Sequence, residues 1–368
     1  MLLLQNANSL AAALLLSLCT LAAVTDAAPL PHQHQHQPIE RRSVSADVEG
    51  DIEIFKFKQP DTPPSSLPSD PFAKYTYEKT LTPANFRADP NRRTIIVGDV
   101  HGSFAGLEGF LKQVKFNPAK DTIILAGDIL AKGPQSLQVI DKARSLNAHC
   151  VRGNHDDKVI RWKGYLNSLG KQETKDLEVD SESRPQVMDD ENSPEYNSEY
   201  PDVKPFAQKK SIPSDLVENS EHHKIAKSLS DEQYQYLLSC SLILTLPKEI
   251  SAKKVPIHVI HAGIDPKMAL ANQQPWVLVN VRNILDDGTP SRKKKEGAGW
   301  SDVFNSKKPG FMVVYGHDAG RALSTKPKSI GLDTGCVYGR ALSGYVVETD
   351  QILKASCPDL GVGGGGDE

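Results

Sequence analysis

From residue 76 onward, short apolar runs alternate with longer stretches of mixed polarity. Five runs end alike: "RTIIVGDVHG" (93–102), "DTIILAGDIL" (121–130), "AHCVRGNHDD" (148–157), "PIHVIHAGID" (256–265) and "FMVVYGHDAG" (311–320). Each passes from β-branched or apolar residues straight into a loop bearing Gly together with Asp, Asn or His. Continuous apolar runs of this length predict strands buried on both faces. "SFAGLEGFLKQV" (103–114) repeats its apolar positions at helical spacing, so a helix is expected between the first two strands. Strand, helix and strand in succession predict an α/β architecture. Open α/β sheets bind ligands beyond the carboxyl ends of their strands, which is where the five polar loops fall.

The flanks carry other patterns. Leu10 to Val24 is an almost unbroken apolar run followed by Thr25-Asp26-Ala27-Ala28, read as a signal peptide over residues 1–27 or an uncleaved signal anchor. It lacks a basic n-region and is short for a spanning helix. Residues 28–75, with "PHQHQHQP" and "DTPPSSLPSDP", read as a low-complexity linker, and His32, His34 and His36 as part of that solvated tract. The folded domain is expected over 76–356. Within it, residues 171–220 are acidic and poor in aliphatic residues, the composition of a disordered insertion. "GVGGGGDE" closes a flexible tail over 357–368.

Composition narrows the function classes. A 368-residue chain with 39% hydrophobic residues can fill a sizeable core, and a net charge of -3 gives no reason to expect a nucleic-acid partner. Membrane contact is expected only through an N-terminal anchor. Cys150, Cys240, Cys336 and Cys357 remain once Cys19 leaves with the leader. They show no close-pair metal spacing; disulfides are possible, with the pairing open. No glycosylation sequon supports the secretory route.

The loops read together as a metal site. A two-metal hydrolytic centre needs several oxygen and nitrogen donors and a bridging carboxylate, with cations about 3.5–4 Å apart. Asp99 and His101, then Asp128, then Asn154, then His261 and His317 supply that inventory. A Gly-Asp after one strand is commonly just a turn. Five such loops in order are hard to explain that way.

The order Gly-Asp-x-His-Gly, Gly-Asp, Gly-Asn-His-Asp, His-Ala-Gly and Gly-His resembles the calcineurin-like metallophosphoesterases of the phosphoprotein phosphatase superfamily. The resemblance covers roughly residues 76 to 356. It implies two packed mixed β-sheets flanked by α-helices, and two divalent metal ions activating water for attack on phosphorus. By motif position it assigns Asp99, His101 and Asp128 to the first metal. Asp128 then bridges to a second held by Asn154, His261 and His317. His155 matches the catalytic histidine, and Asp156 either orients it or pairs elsewhere; Arg152 braces the loop.

Residues 124–137, "ILAGDILAKGPQSL", separate subfamilies. Protein-serine/threonine phosphatases read Gly-Asp-x-x-Asp-Arg-Gly there, whereas this chain has Ala131 and Lys132. With "GLDTGCVYGRAL" (331–342), this resembles the dinucleoside-tetraphosphatase branch and, within it, the zinc-dependent vacuolar endopolyphosphatases of fungi. That implies zinc (manganese, cobalt or iron being alternatives), internal cleavage of inorganic polyphosphate, and a vacuolar lumen, with secretion as the alternative. A polyanionic phosphate substrate calls for cations, and Lys132, Arg282 and Arg321 are the candidates. "SRKKKEG" (291–297) reads first as a solvated basic loop and second as an approach groove. Competing readings are a dinucleoside polyphosphate hydrolase, a phosphoprotein phosphatase and a non-catalytic phosphate-binding module.

Overall fold

Two mixed sheets lie face to face, and their facing side chains make the central core. The first has the order β14-β13-β2-β3-β4, in which β2 (Thr94–Val97), β3 (Thr122–Leu125) and β4 (His149–Cys150) run parallel. β13 (Ala341–Val346) and β14 (Gln351–Ser356) extend it antiparallel. The second joins β1 (Thr76–Thr80), β5 (Ser241–Leu246), β6 (Ile257–Ile260), β10 (Met312–Tyr315), β12 (Ser329–Gly331) and β11 (Ser324–Lys326) in that order. A small third sheet, β8 (Pro290–Ser291), β7 (Asn283–Ile284) and β9 (Ala298–Gly299), was not foreseen from the sequence. This computed structural model describes residues 70–86, 89–169 and 212–363.

The strands alternate faces as period two requires. Ile96 and Ile124 of the first sheet meet Leu244, Val259, Met312 and Val314 of the second. The opposite faces, Ile95, Val97, Ile123 and Leu125, pack under α1 (Phe104–Gln113), α2 (Ser136–Ser145) and α3 (Asn154–Ser168). α4 (Glu221–Ser228) and α5 (Asp231–Leu238) join the same layer through Ala226, Tyr234 and Leu237. On the far side, Val313 and Tyr315 pack with Leu278 of α6 (Pro275–Asn280) and Trp300 and Phe304 of α7 (Trp300–Ser306). Helices therefore flank both sheets. Each fully buried aliphatic side chain contributes about 1.5–3 kcal/mol, so this layering can hold loops that are themselves unfavourable.

The expected boundaries shift at three points, each for a packing reason. Phe72, assigned to the linker, is buried in the core, and Asp70 pairs with Arg161 of α3 at 2.5 Å. Residues 212–220, assigned to the disordered insertion, are ordered: Leu216 enters the core, Asp215 makes a two-pronged pair with Arg161, and Ser220 caps α4. Cys357, assigned to the tail, is bonded to Cys336. The leader, most of the linker with its histidines, and the rest of the insertion lie outside the described residues.

Cys150 is bonded to Cys240 across 90 residues, and Cys336 to Cys357 across 21. Chain-entropy scaling makes the longer link the more stabilising by about 1 kcal/mol, within a total of about 2–5 kcal/mol. Guanidinium unfolding should accordingly show a larger loss for a Cys150→Ala/Cys240→Ala double variant than for Cys336→Ala/Cys357→Ala. Equal losses would mean that native-state contacts, and not loop closure, set their contribution.

Candidate metal centre

Each expected ligand sits just past a strand end. Asp99 and His101 follow β2, Asp128 follows β3, Asn154 opens α3 after β4, His261 follows β6, and His317 follows β10. None of the six is more than 8% exposed. The structure brings them together around Asp128. His101 Nε2 lies 3.4 Å from Asp128 Oδ2 and 3.9 Å from Asp99 Oδ2. On the other side His261 Nε2 lies 3.4 Å from Asp128 Oδ1 and 3.0 Å from Asn154 Oδ1, which His317 Nδ1 approaches at 3.1 Å.

Backbone carbonyls decide which ring nitrogen faces inward. A carbonyl oxygen only accepts, so His101 Nδ1 donates to Leu130 O (3.1 Å), His261 Nδ1 to Ala126 O (2.9 Å) and His317 Nε2 to Asn280 O (3.1 Å). The remaining nitrogen of each ring then turns a lone pair toward carboxylate or amide oxygens. Lone pair facing lone pair in a buried site is repulsive unless a cation lies between them. The donor set thus fits a pair of divalent ions sharing Asp128, with each imidazole braced from behind as metal ligands are.

Charges agree with that fit at His101 and His317, and oppose it at His261. Burial, then the neighbouring Asp333 and Asp128, push the Asp99 carboxyl well above its usual range. Burial also disfavours charge on Asp128, yet His261, His155 and His101 hold its carboxyl well below the usual value. Burial and Lys132 lower His101 to about 3, and burial and Arg282 depress His317. His261 goes the other way: burial opposes its charge, but Asp128 beside it raises its pKa. Neutral imidazole is the form that binds metal.

Close approach accounts for two glycines. A Cβ at Gly153 would strike the Asp128 carboxylate and backbone, and one at Gly316 would strike Asp99 Oδ1. Three of the candidate ligands adopt left-handed backbone, His101 (φ 49), Asp128 (φ 46) and His317 (φ 73), joined by Ala131 (φ 67) and Lys132 (φ 66). Each such residue is strained by about 1–3 kcal/mol and persists because surrounding packing over-determines it.

His155 stands in the first turn of α3, its backbone N–H donating to Asp128 Oδ1 at 3.0 Å. Its ring meets His101 edge-on with centroids 5.0 Å apart. Burial, then Lys132, lowers its pKa well below the usual value. Asp156 does not orient that ring. Its Oδ1 accepts from Ile129 N and Leu130 N, and its Oδ2 from Gly153 N, so it ties the β3 and β4 loops together. Burial and the nearby Asp128 raise its carboxyl to about 7. Arg152 is fully buried, bonded to Asp157 and to Lys74 O, the brace expected of it.

The three expected phosphate grips part ways. Lys132 Nζ reaches to 3.3 Å from His101 Nε2 and lies 5.7 Å from the Tyr338 ring centroid. Arg282 stands close enough to His317 to depress its pKa. Arg321 is instead a strut, because its terminal nitrogens donate to Asp318, Asn283 and the Arg282 carbonyl. Sequence reasoning missed three site residues. Asp333 follows β12 and is 3% exposed beside Asp99, and it repeats the strand-then-carboxylate pattern that exposed Asp99 and Asp128. His222 places Nε2 2.8 Å from His155 Nδ1, and Glu221 accepts a hydrogen bond from Lys132 N at 2.9 Å; neither carries a local signal.

A shared carboxylate makes ion content testable. Protein purified with divalent metal should hold about two equivalents by elemental analysis. Asp128→Asn should drop below one equivalent, whereas His317→Ala should keep about one. Equal retention in both would remove Asp128 from the bridging position.

Comparison with known proteins agrees with this geometry. The model of the calcineurin-like phosphoesterase family matches residues 92–339, well over half of the chain. The chain is 26% identical over 276 residues to a symmetrical bis(5'-nucleosyl)-tetraphosphatase of Aeromonas salmonicida, covering 71% of this chain and 97% of that one. A Pseudomonas putida protein of the same description is 26% identical over 285 residues, covering 73% and 94%. A crystal structure designated a candidate diadenosine tetraphosphatase superposes with a TM-score of 0.53 at 26% identity, over 77% of this chain and 99% of that one. The chain belongs to the calcineurin-like phosphoesterase family.

Proposed function

We propose that the protein hydrolyses phosphoanhydride bonds, with bis(5'-nucleosyl) tetraphosphates, the substrate in its bacterial relatives' names, as the first substrate class. One observation carries the preference for anhydrides over phosphoprotein esters. The atom bonded to His155 Nδ1 is an imidazole nitrogen, Nε2 of His222, and not a carboxylate oxygen. A carboxylate there would hold the ring in its protonated form, with a proton in place for the leaving oxygen. An imidazole does so less, which suits a leaving phosphate already stabilised as an anion better than a serine alkoxide.

When bound, the two ions supply an activated water and neutralise phosphoryl charge. The chain's own groups do the remainder. Lys132 and Arg282 bind phosphate oxygens on either side of the ligand cluster, and His155 returns a proton to the departing oxygen. Burial and Lys132 keep His155 neutral in the free protein. A polyanionic substrate brings the negative charge that restores its proton.

Inorganic polyphosphate is a second reading, favoured by the basic run. Arg282 Nη1 donates to Arg292 O, and Asn283 Nδ2 donates to Lys293 O and Lys294 O, so the run is anchored to the strand beside His317. A linear polyanion could follow it outward from the metal centre. The apolar leader and the two disulfides support an oxidising, lumenal setting such as the vacuole. Imidazole donors mixed with carboxylates suit zinc, and suit manganese, cobalt and iron as well.

The full chain should be incubated with a dinucleoside tetraphosphate, long-chain polyphosphate and a phosphoserine peptide, each with zinc, manganese or cobalt. Turnover of either anhydride well above that of the peptide is expected, and faster peptide hydrolysis would overturn the reading. Symmetrical nucleoside diphosphate products identify the first class, and a polyphosphate ladder on gels the second. His155→Ala should reduce kcat by about 10²–10⁴-fold with metal content unchanged.

A further inference from the structure

His222 is buried, 3% exposed, and belongs to neither ligand cluster, yet it is bonded to His155, the histidine matched to catalysis, whose ring also sits with His101 and Asp128 in the first of those clusters. Its ring lies end to end with that of His155, with centroids 5.0 Å apart and planes 27° from parallel, as a hydrogen bond in the ring planes requires. The chain fixes its location from several sides. Ser220 caps α4 by accepting from His223 N, and the His223 ring lies 4.2 Å over Trp162 of α3. Ala226 anchors the same helix in the core, and Glu221 ties its first turn to the Lys132 backbone.

We propose that His222 is a positioning residue for the hydrolysis assigned above: it holds the His155 ring in one orientation and one tautomer. This role rests on the anhydride-hydrolase reading, but the geometry behind it does not. His155 Nδ1–H donates to the His222 Nε2 lone pair, which leaves His155 Nε2 to take up a proton when the polyanionic substrate binds and to give it to the leaving oxygen as the P–O bond breaks. A ring free to rotate would present either nitrogen, and much of the bound substrate would wait beside an unproductive one. Gln at position 222 can place an acceptor oxygen where Nε2 now lies; Ala cannot.

The test uses the full, metal-loaded chain with His222→Ala and His222→Gln, read in two ways. Long-range proton–nitrogen NMR correlations report the His155 tautomer, with its signals assigned by their loss in His155→Ala. Steady-state kinetics use whichever substrate the panel above shows to turn over. Expected are a single Nδ1–H tautomer in the wild type and in H222Q and a mixture in H222A. H222A should also lose about 10–100-fold in kcat, part of the 10²–10⁴-fold that proton transfer provides, with KM within about twofold and metal content unchanged. H222Q should recover most of that loss. An unchanged tautomer or unchanged kcat in H222A, or an H222Q as slow as H222A, overturns the proposal. If H222A does not fold, His222→Phe keeps the volume without the acceptor and takes its place. If no substrate turns over, the anhydride reading fails by itself and the tautomer alone decides the role of His222.

Discussion

Electron-pair donors from separate loops converge on the Asp128 carboxylate, and this crowding is the constraint from which the rest of the architecture follows. Oδ1 faces His261 and the His155 backbone amide, while Oδ2 faces His101. No hydrophobic gain compensates for pointing lone pairs at one another in a buried place. Divalent cations do, and whatever binds the folded state alone also stabilises it. Metal binding to the folded state alone therefore makes the loaded centre more stable than the bare one.

Holding such a centre requires rigid surroundings. Each ligand-bearing loop is the continuation of a strand buried on both sides, so its position is fixed by the register of two sheets. Asp156 then laces two of those loops through their amides, and His317 N donates to both Asp99 oxygens. Left-handed backbone at His101, Asp128 and His317 is tolerable only inside such a frame. A ligand that lay mid-helix or on a free loop could not be kept in that conformation.

How much of this was legible in the chain depended on range. Strands β2, β3, β6 and β10 and the six candidate ligands could be read locally, because an apolar run ending in Gly and a donor is a short-range signal. Asp333 obeys the same rule and lies in the motif 331–342, but its strand, "SIG", is too brief to mark it locally as a site carboxylate. His222 obeys no rule visible in one dimension: its meaning arises from the docking of α4 on α3, 67 residues after its partner. Arg321, expected to grip phosphate, and Asp156, expected either to orient His155 or to pair elsewhere, needed the fold to decide between chemistry and bracing. Charge next to a motif suggests chemistry, and only three-dimensional bonding shows that their polar atoms already serve the loops. The misplaced boundaries have the same origin, since Phe72, Leu216 and Cys357 are single anchors in otherwise polar stretches.

The Cys150–Cys240 bond turns a stretch of chain into a covalent ring. That ring contains both α3 with His155 and α4 with His222, and the long acidic segment lies between them. Severing one peptide bond anywhere in 170–211 would open the ring without releasing either half. The two pieces would stay tethered, and each histidine would remain seated on its own packed helix. The disulfide thus gives α3 and α4 a covalent link that does not run through the acidic segment.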